Sequence, residues 1–184
     1  MNIETQKLSP EEKRLDVVVK FFYPVVAGIE TNILNIYSYL AKQGWEVVIH
    51  TSTSIPNSSE ILPLKGEIQG LSIQRYKWRW YGFVPKIDWS HSGSICLHNF
   101  YLFPHSWILM KALFLKKFHQ TCRTIFLVPH GGYTPGWWTF TPFQRIMKRL
   151  YQKYIGTFLI NHAVDGLRSV SEWESEETVK SGVR

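Results

Sequence analysis

The segment from Leu15 to Phe22 is an almost continuous run of β-branched and aromatic side chains. Such a run is typical of a strand that is buried on both faces of a parallel sheet. A loop of small residues follows, and apolar side chains then recur at helical spacing from Ile29 to Leu40 until Gly44, a residue type that often ends helices. Trp45–Thr51 is a second predicted strand. The segment therefore predicts a strand, a helix and a parallel strand joined by a right-handed crossover.

The alternation of strands and helices continues along the chain. Further strands are predicted at Leu71–Tyr76, Ser94–His98, Arg123–Val128 and Asp165–Val170. Helices are predicted at Pro104–His119, at Pro142–Ile160 and from a capping box of Ser171 and Glu174 to Gly182. The segments Thr51–Gly70 and Trp78–Ser94 are loop-like. This order predicts an α/β protein with a doubly wound, mainly parallel, Rossmann-like sheet.

The length of 184 residues is sufficient for one domain with a sizeable core. Residues 1–14 are polar and include a Ser-Pro break, so we expect a flexible leader before the first strand. Residues 15–184 are expected to form the domain.

Positive charge is concentrated in the middle of the chain. Between Ile68 and Val164, Asp88 is the only acidic residue. The basic residues of this segment are Arg75, Lys77, Arg79, Lys86, Lys111, Lys116, Lys117, Arg123, Arg145, Lys148, Arg149 and Lys153. Such a distribution favours an anionic partner, which leaves phosphates, an acidic membrane surface and nucleic acid open.

The two cysteines, Cys96 and Cys122, lie beside apolar runs and no signal peptide precedes them. Reduced core thiols in a cytoplasmic protein are therefore expected. The apolar segments near Ser106–Phe118 and Tyr154–Ile160 contain lysines or are too short to cross a bilayer. We expect at most a peripheral position on the inner face of a membrane.

Several chemistries lack their sequence motifs. The histidines and cysteines show no close pair with zinc-site spacing, and Asp-x-Asp is absent, so no metal is expected. The chain also has no Gly-x-Gly-x-x-Gly, no Gly-x-Ser-x-Gly and no phosphate-binding Gly-Lys-Ser/Thr loop. Dinucleotide, serine-hydrolase and P-loop nucleotidase functions are therefore not favoured.

Five short motifs occur in order at the ends of the predicted elements. They are Pro24…Ala27-Gly28-Ile29-Glu30, Leu40-Ala41-Lys42-Gln43-Gly44-Trp45-Glu46-Val47-Val48, Leu97-His98-Asn99-Phe100, Pro129-His130-Gly131 and Ser169-Val170-Ser171-Glu172. This succession resembles the N-terminal half of the retaining glycosyltransferases of family 4, which have the GT-B fold. The resemblance extends over most of the chain, from Leu15 to Val183.

The resemblance implies that residues 15–184 are the acceptor-side domain, with the C-terminal donor-binding domain absent from the chain. The intact enzyme would move a hexose from a nucleotide-diphosphate sugar to an acceptor hydroxyl, with retention and with no cofactor. Glycolipid, polysaccharide or glycoconjugate synthesis is the expected setting. The chain alone is expected to have little activity, and its expected partners are an acceptor sugar or lipid-linked acceptor and a separate donor domain.

The resemblance also implies site residues. His130 would be catalytic, by donating a hydrogen bond to charge that develops at the sugar or phosphate. Backbone N–H groups at Ala27 and Gly28 would face a diphosphate or an acceptor, although a plain turn is the alternative. The other expected substrate contacts are His98, Gly131, Ser171 and Glu172.

Three departures from the family pattern matter. Ala27 stands where the family usually has glycine, and alanine tolerates positive φ less well, so the loop is expected to approach a phosphate differently. Trp45 replaces a histidine, a change with structural consequences only. The family's spaced glutamate pair occurs here only as Glu4 and Glu12 in the leader, which is a chance match.

Two other functions remain open at this stage. One is a non-catalytic acceptor-binding subunit of a split glycosyltransferase. The other is a basic module that binds anionic lipid or nucleic acid, because Arg75–Tyr81 mixes basic and aromatic residues and Lys111, Lys116 and Lys117 lie among apolar ones. Contact with a membrane is favoured over contact with nucleic acid, and a plain solvated surface is the alternative to both.

Overall fold

The computed structural model describes residues 9, 12–80, 82–99, 103–120, 123–130 and 141–183, with the side chain of residue 103 excluded. The strands of this part of the chain are β1 Arg14–Val18, β2 Glu46–Ser52, β3 Lys65–Ile68, β4 Leu71–Tyr76, β5 Ser94–His98, β6 Thr124–Val128 and β7 Gly166–Leu167. The helices are α1 Gly28–Lys42, α2 Phe103–Lys117, α3 Pro142–Leu150, α4 Thr157–Ala163 and α5 Glu172–Lys180. A π-helical turn, Tyr151–Gly156, joins α3 to α4.

The strands form one sheet in the order β3-β4-β2-β1-β5-β6-β7. All neighbouring pairs are parallel except β3 with β4. If the antiparallel edge strand β3 is set aside, the chain order of the strands across the sheet is 3-2-1-4-5-6, which is the order of a Rossmann sheet. The predicted α/β class with a mainly parallel, Rossmann-like sheet is confirmed.

Each face of the sheet carries its own core. Val17 of β1 packs with Ile33 of α1 on one face, whereas its neighbour Val18 packs with Leu109 of α2 on the other. This alternation follows from the strand geometry, in which successive side chains point to opposite faces. Because helices cover both faces, the central strands are buried on both sides and mostly apolar, with Asp16 and His50 as buried polar exceptions.

Several element boundaries differ from the prediction. The first strand ends at Val18 rather than Phe22. The helix predicted at Pro142–Ile160 is interrupted by the π-helical turn, and the strand predicted at Asp165–Val170 is reduced to Gly166–Leu167. In each case helix or strand composition continues past the point where the hydrogen-bond pattern changes, so composition alone does not mark the boundary.

The prediction missed β3, which lies in a segment interpreted as a loop. Its residues are mostly exposed and polar, so it lacks the apolar signature of a strand. Gln69 and Gly70 both have positive φ, at 50° and 79°, and form the two-residue connection of a β3–β4 hairpin. The Gln-Gly pair is an uncommon form of this turn signal, which explains why the strand was missed.

A buried network of charged groups joins separate strands beneath α2. Asp16 Oδ1 lies 2.7 Å from His50 Nε2, and Asp16 Oδ2 accepts a hydrogen bond of 2.5 Å from Arg123 Nη2. Arg123 also donates to the backbone carbonyls of Asp88 and Ser94. The exposed fractions of Asp16, His50 and Arg123 are 1%, 1% and 2%. The network therefore ties β1, β2 and the start of β6 together inside the protein.

Electrostatics determines the protonation of this network. Burial raises the pKa of Asp16, but the hydrogen bond from His50 and the charge of Arg123 outweigh burial, so the net pKa is lowered. Asp16 is therefore a carboxylate, and His50 Nε2 carries the proton that it shares with Asp16. The other ring nitrogen, Nδ1, lies 2.9 Å from Tyr76 Oη, which extends the network to the end of β4.

Replacing Asp16 with alanine is expected to lower the free energy of unfolding by about 3–5 kcal/mol, because Arg123 is then left buried without its anion. Urea denaturation at pH 7 measures the change. Glu46→Ala is the control, because Glu46 forms an exposed pair with Arg14 at 3.7 Å and its loss is expected to cost under about 1 kcal/mol.

The loss of stability caused by Asp16→Ala is expected to depend on pH. Since the pKa of folded Asp16 lies below its ordinary value of 3.8, the carboxylate stabilises the fold above that pH and the stabilisation is lost as the pH falls below it. The stability difference between wild type and D16A is therefore expected to shrink in acid. A difference that is constant from pH 7 to pH 3 would contradict this assignment.

Candidate functional site

The candidate site lies at the carboxyl edge of the sheet, beside β1 and β5. These strands are neighbours, and the chain leaves β1 for α1 on one face and β5 for α2 on the other. Such a point of divergence leaves a crevice outside the carboxyl ends of the strands, where ligands of open α/β sheets bind. His98 ends β5 and His130 follows β6, so the topology places both predicted histidines at this edge.

The two histidines contact each other. His98 Nδ1 lies 2.8 Å from His130 Nε2, and the ring planes are inclined by 24° with centroids 5.0 Å apart. His98 is 3% exposed and His130 is half-buried. His130 has a φ of 49°, in the left-handed region that residues other than glycine seldom adopt. This backbone conformation is concentrated at functional sites and directs the chain away from the line of β6.

The pair continues into the protein as a hydrogen-bonded chain. Tyr37 Oη lies 2.7 Å from His98 Nε2 and 3.0 Å from Cys96 Sγ. If Tyr37 donates to His98, then His98 donates to His130, and His130 Nδ1 carries a hydrogen. If every bond is reversed, His130 Nδ1 presents a lone pair instead. Within the described residues His130 Nδ1 has no hydrogen-bond partner.

Burial keeps both rings neutral. It lowers the pKa of His98 well below its ordinary value, and the Arg168 guanidinium lowers it further, as would a proton on His130 or His105. Burial also lowers the pKa of His130, whereas the nearby Glu174 carboxylate raises it and Arg168 lowers it. Both imidazoles are therefore uncharged at neutral pH, which is the state that either proton arrangement requires.

The inner groups of the chain are not nucleophiles at neutral pH. Burial raises the pKa of the Cys96 thiol to about 11, although its bond to Tyr37 opposes the shift. Burial also raises the pKa of the Tyr37 phenol, with a smaller contribution from Cys96. Because a thiol reacts through its thiolate, Cys96 serves as a buried hydrogen-bonding group. Its burial in the reduced form agrees with the prediction, whereas Cys122 lies outside the described residues.

The loop at Ala27 and Gly28 forms the exposed start of α1. Ala27 is the N-cap residue with φ −139°, and its side chain makes no capping bond. This extended conformation accepts any residue, so the expected penalty for alanine in place of glycine does not arise. A Cβ added at Gly28 would meet no atom within 4 Å. The first N–H groups of α1 are therefore exposed without a side-chain cap, as a loop that receives an anion requires.

The other residues predicted to contact a substrate lie at the start of α5 or outside the described residues. Ser171 is the N-cap of α5 and its Oγ accepts from the Glu174 backbone at 3.1 Å. Only this half of the predicted capping box is present, because the Glu174 carboxylate accepts from Val170 N at 2.8 Å. Glu172 is exposed on the first turn of α5, and Gly131 lies outside the described residues.

Sequence analysis missed three residues of the site. Tyr37 was assigned only to the apolar face of α1, although its hydroxyl is the polar group that meets His98. Arg168 is exposed after β7, and its side chain has no hydrogen bond or ion pair within the described residues. Glu174 was treated only as a capping residue, yet it is 1% exposed and acts on His130. The signal that could have identified Arg168 is a charged residue within the short predicted strand Asp165–Val170.

The described residues contain no group of three or more histidine, cysteine or acidic side chains that could hold a metal ion. The chain gives no match to any model of a known protein family and none to the curated proteins. The inference of function therefore starts from the histidine pair and its surroundings.

Replacing Glu174 with glutamine is expected to lower the pKa of His130 further, because the carboxylate is the group that raises it. Glutamine preserves an oxygen that can accept from Val170 N. The imidazole signals of His130, followed by NMR during a pH titration, measure the shift. Glu172→Gln, two positions earlier on α5 and exposed, is the matched control and should leave the titration unchanged. A pKa of His130 that rises in E174Q would contradict the assigned role.

Proposed function

We propose that this chain is the acceptor-side Rossmann-like domain of a retaining GT-B glycosyltransferase of family 4. It would bind an acceptor, alone or linked to a lipid, and complete its catalytic cleft with a donor-binding domain. The observation that carries the proposal is the neutral His98–His130 pair at the carboxyl edge of the sheet. The motif order selected these two histidines separately, and the fold places them in contact.

The chemistry requires groups that stabilise a departing diphosphate. In transfer, the bond from the anomeric carbon to the diphosphate oxygen breaks and the acceptor oxygen forms the new bond. The acceptor hydroxyl proton passes to the departing diphosphate, which otherwise gains negative charge. His130 Nδ1–H would donate to an oxygen of the sugar or phosphate in this state, and preorganised donors of this kind accelerate such steps by about 10²–10³.

Positive charge near the pair supports the same role. Arg168 is close enough to His98 and His130 to lower the pKa of both, and it has no anionic partner within the described residues. A guanidinium suits a phosphate because its N–H groups match two oxygens at once. Arg168 and the uncapped start of α1 would therefore provide positive potential at the cleft, while His130 provides the directed hydrogen bond.

A membrane surface is part of the proposal because α3 is amphipathic and has no buried residue. Its apolar residues recur at helical spacing, and each is at least 47% exposed: Phe143, Ile146, Met147 and Leu150. The basic residues Arg145, Lys148 and Arg149 lie on the same helix. An exposed apolar stripe with adjacent basic residues is typical of a helix that lies on an anionic membrane. We place this contact at the cytoplasmic face.

One of the α2 lysines expected to contact a membrane is already paired inside the protein. Lys116, one of the lysines expected to form a basic surface on α2, pairs with Asp165 at 2.6 Å and donates to the Ala163 carbonyl. That lysine stabilises the packing of α2 against α4 and is not available to lipid. No helix among the described residues has the length and apolar character needed to cross a bilayer.

Replacing Phe143 and Ile146 with serine is expected to reduce binding to phosphatidylglycerol vesicles at least about tenfold, since each buried apolar side chain contributes about 1.5–3 kcal/mol. Cosedimentation measures the effect. The control is the double change of Phe114 and Phe118 to serine on α2, where both rings are also exposed. If both double variants lose vesicle binding equally, α3 is not the membrane-binding element.

The transferase proposal is tested by incubating nucleotide-diphosphate sugars and acceptors with the chain, alone and mixed with a donor-binding domain of a family 4 enzyme. Activity is expected only in the mixture, and His130→Ala is expected to reduce it about 100-fold. His130→Gln, whose side-chain amide can still donate a hydrogen bond, is expected to retain part of the activity. His91→Ala is the control, because His91 lies before β5 at the opposite edge of the sheet.

The outcomes separate the alternatives. Full activity of H130A in the mixture would overturn the catalytic role of the histidine pair. Turnover by the chain alone would overturn the acceptor-side assignment. Acceptor binding without turnover in any mixture would favour the non-catalytic subunit.

A further inference from the structure

A concave surface lies at the β3–β4 edge of the sheet, away from the histidine pair. It has a volume of about 550 Å³, which is within the range of small-molecule sites. Five of the side chains that line it are basic: Lys65, Arg75, Lys77, Arg79 and Lys86. The other lining residues are neutral, so no acidic side chain offsets these charges within the cavity wall. We call this surface the cationic cavity.

Arg75 lines the cavity, but its side chain lies on the face of β4 opposite Tyr76, because successive side chains of a strand alternate. It is only 6% exposed, and its two terminal nitrogens donate to the backbone carbonyls of Pro63 at 3.2 Å and Tyr23 at 2.9 Å. Its Nε is buried without a hydrogen-bond partner, and no carboxylate in the described residues pairs with it. Gly66 makes room for the guanidinium, since an added Cβ would lie 3.0 Å from Nη1.

The opposite wall is held by aromatic packing. Tyr76 Oη accepts a hydrogen bond from the Lys86 backbone at 3.1 Å, and the Tyr76 ring stacks on Phe83 with planes 2° apart. Arg79 and Gly82 exchange two backbone hydrogen bonds of 2.8 and 2.9 Å. The segment that carries three of the basic residues is therefore fixed at several points, and the cavity is preformed rather than assembled by the ligand.

Tyr76 is itself positioned by the buried network. Its hydroxyl lies 2.9 Å from His50 Nδ1, and His50 is held by Asp16. The network thus links the centre of the sheet to the wall of the cavity. This arrangement resembles the support that preorganised binding sites receive from groups behind them.

The geometry points to a small phosphate-bearing ligand. We propose that the cationic cavity binds a phosphate or diphosphate group, carried either by a soluble metabolite such as a sugar phosphate or by a lipid headgroup. Lysine and arginine together are the usual partners of phosphate. Because the cavity is concave and of limited volume, it suits a compact anion better than an extended nucleic acid.

The cavity and the histidine pair are separate sites. Three strand spacings separate β4 from β5 in the sheet, a distance of about 14 Å. The inference therefore does not rest on the proposed transferase function. His130→Ala should leave ligand binding at the cavity unchanged.

The test measures binding of inorganic pyrophosphate to the full chain by isothermal titration calorimetry. The double variant K77Q/K86Q is expected to reduce the affinity about tenfold, which is about 1.4 kcal/mol shared between two lost charge contacts. The control is K111Q/K117Q, which makes the same change in net charge on α2 and should leave the affinity within about twofold. Both pairs are changed outside the core, so folding is preserved and is checked by thermal denaturation.

Two further ligands identify the source of the phosphate. Glucose 1-phosphate represents a soluble ligand, and dihexanoyl phosphatidic acid, kept below its micelle concentration, represents a headgroup without a membrane surface. Preferential binding of either one, with loss in K77Q/K86Q, supports the proposal and names the source. The proposal is overturned if none of the three ligands binds, or if K111Q/K117Q weakens binding as much as K77Q/K86Q. Tight binding of an oligonucleotide that excludes pyrophosphate would also overturn it.

Discussion

The contact between Asp16 and Arg123 is the interaction on which the rest of the structure depends. It joins residues 107 positions apart in the chain and places both charges inside the sheet, where neither is tolerated alone. Arg123 also holds the carbonyls of Asp88 and Ser94, so one guanidinium fixes the entries to β5 and β6. The positions of these strands determine where His98 and His130 emerge at the opposite edge.

Two polar networks run through the protein on opposite faces of the sheet. Under α2, Asp16 and His50 lead to Tyr76 at the cationic cavity. Under α1, Cys96 and Tyr37 lead to the histidine pair at the crevice. The alternation of side chains along each strand keeps the networks apart, because neighbouring residues of one strand face different helices. The fold can therefore support two sites whose polar groups are not shared.

Much of the fold follows from the sequence because apolar runs, helical spacing and terminal glycines agree with one another. The histidines at 98 and 130 could be selected from the resemblance, because His98 ends one predicted strand and His130 lies just after another. Their contact could not be predicted, since it requires β5 to lie next to β6 and a left-handed conformation at His130. The partnership of Asp16 with Arg123 left only a weak signal, a charged residue within an apolar run. Strand β3 was missed because its polar surface resembles a loop.

The neutrality of the histidine pair limits what the crevice can do by itself. An uncharged imidazole directs a hydrogen bond but contributes little net attraction for an anion, so in the proposed function recognition of a phosphate would have to come from other groups. Arg168 is a described source of such charge, and it also helps to keep the rings neutral. Attraction and directed hydrogen bonding are thus assigned to different side chains. A site of this kind holds its anion firmly only when further donors close over it, as a second domain across the crevice would provide.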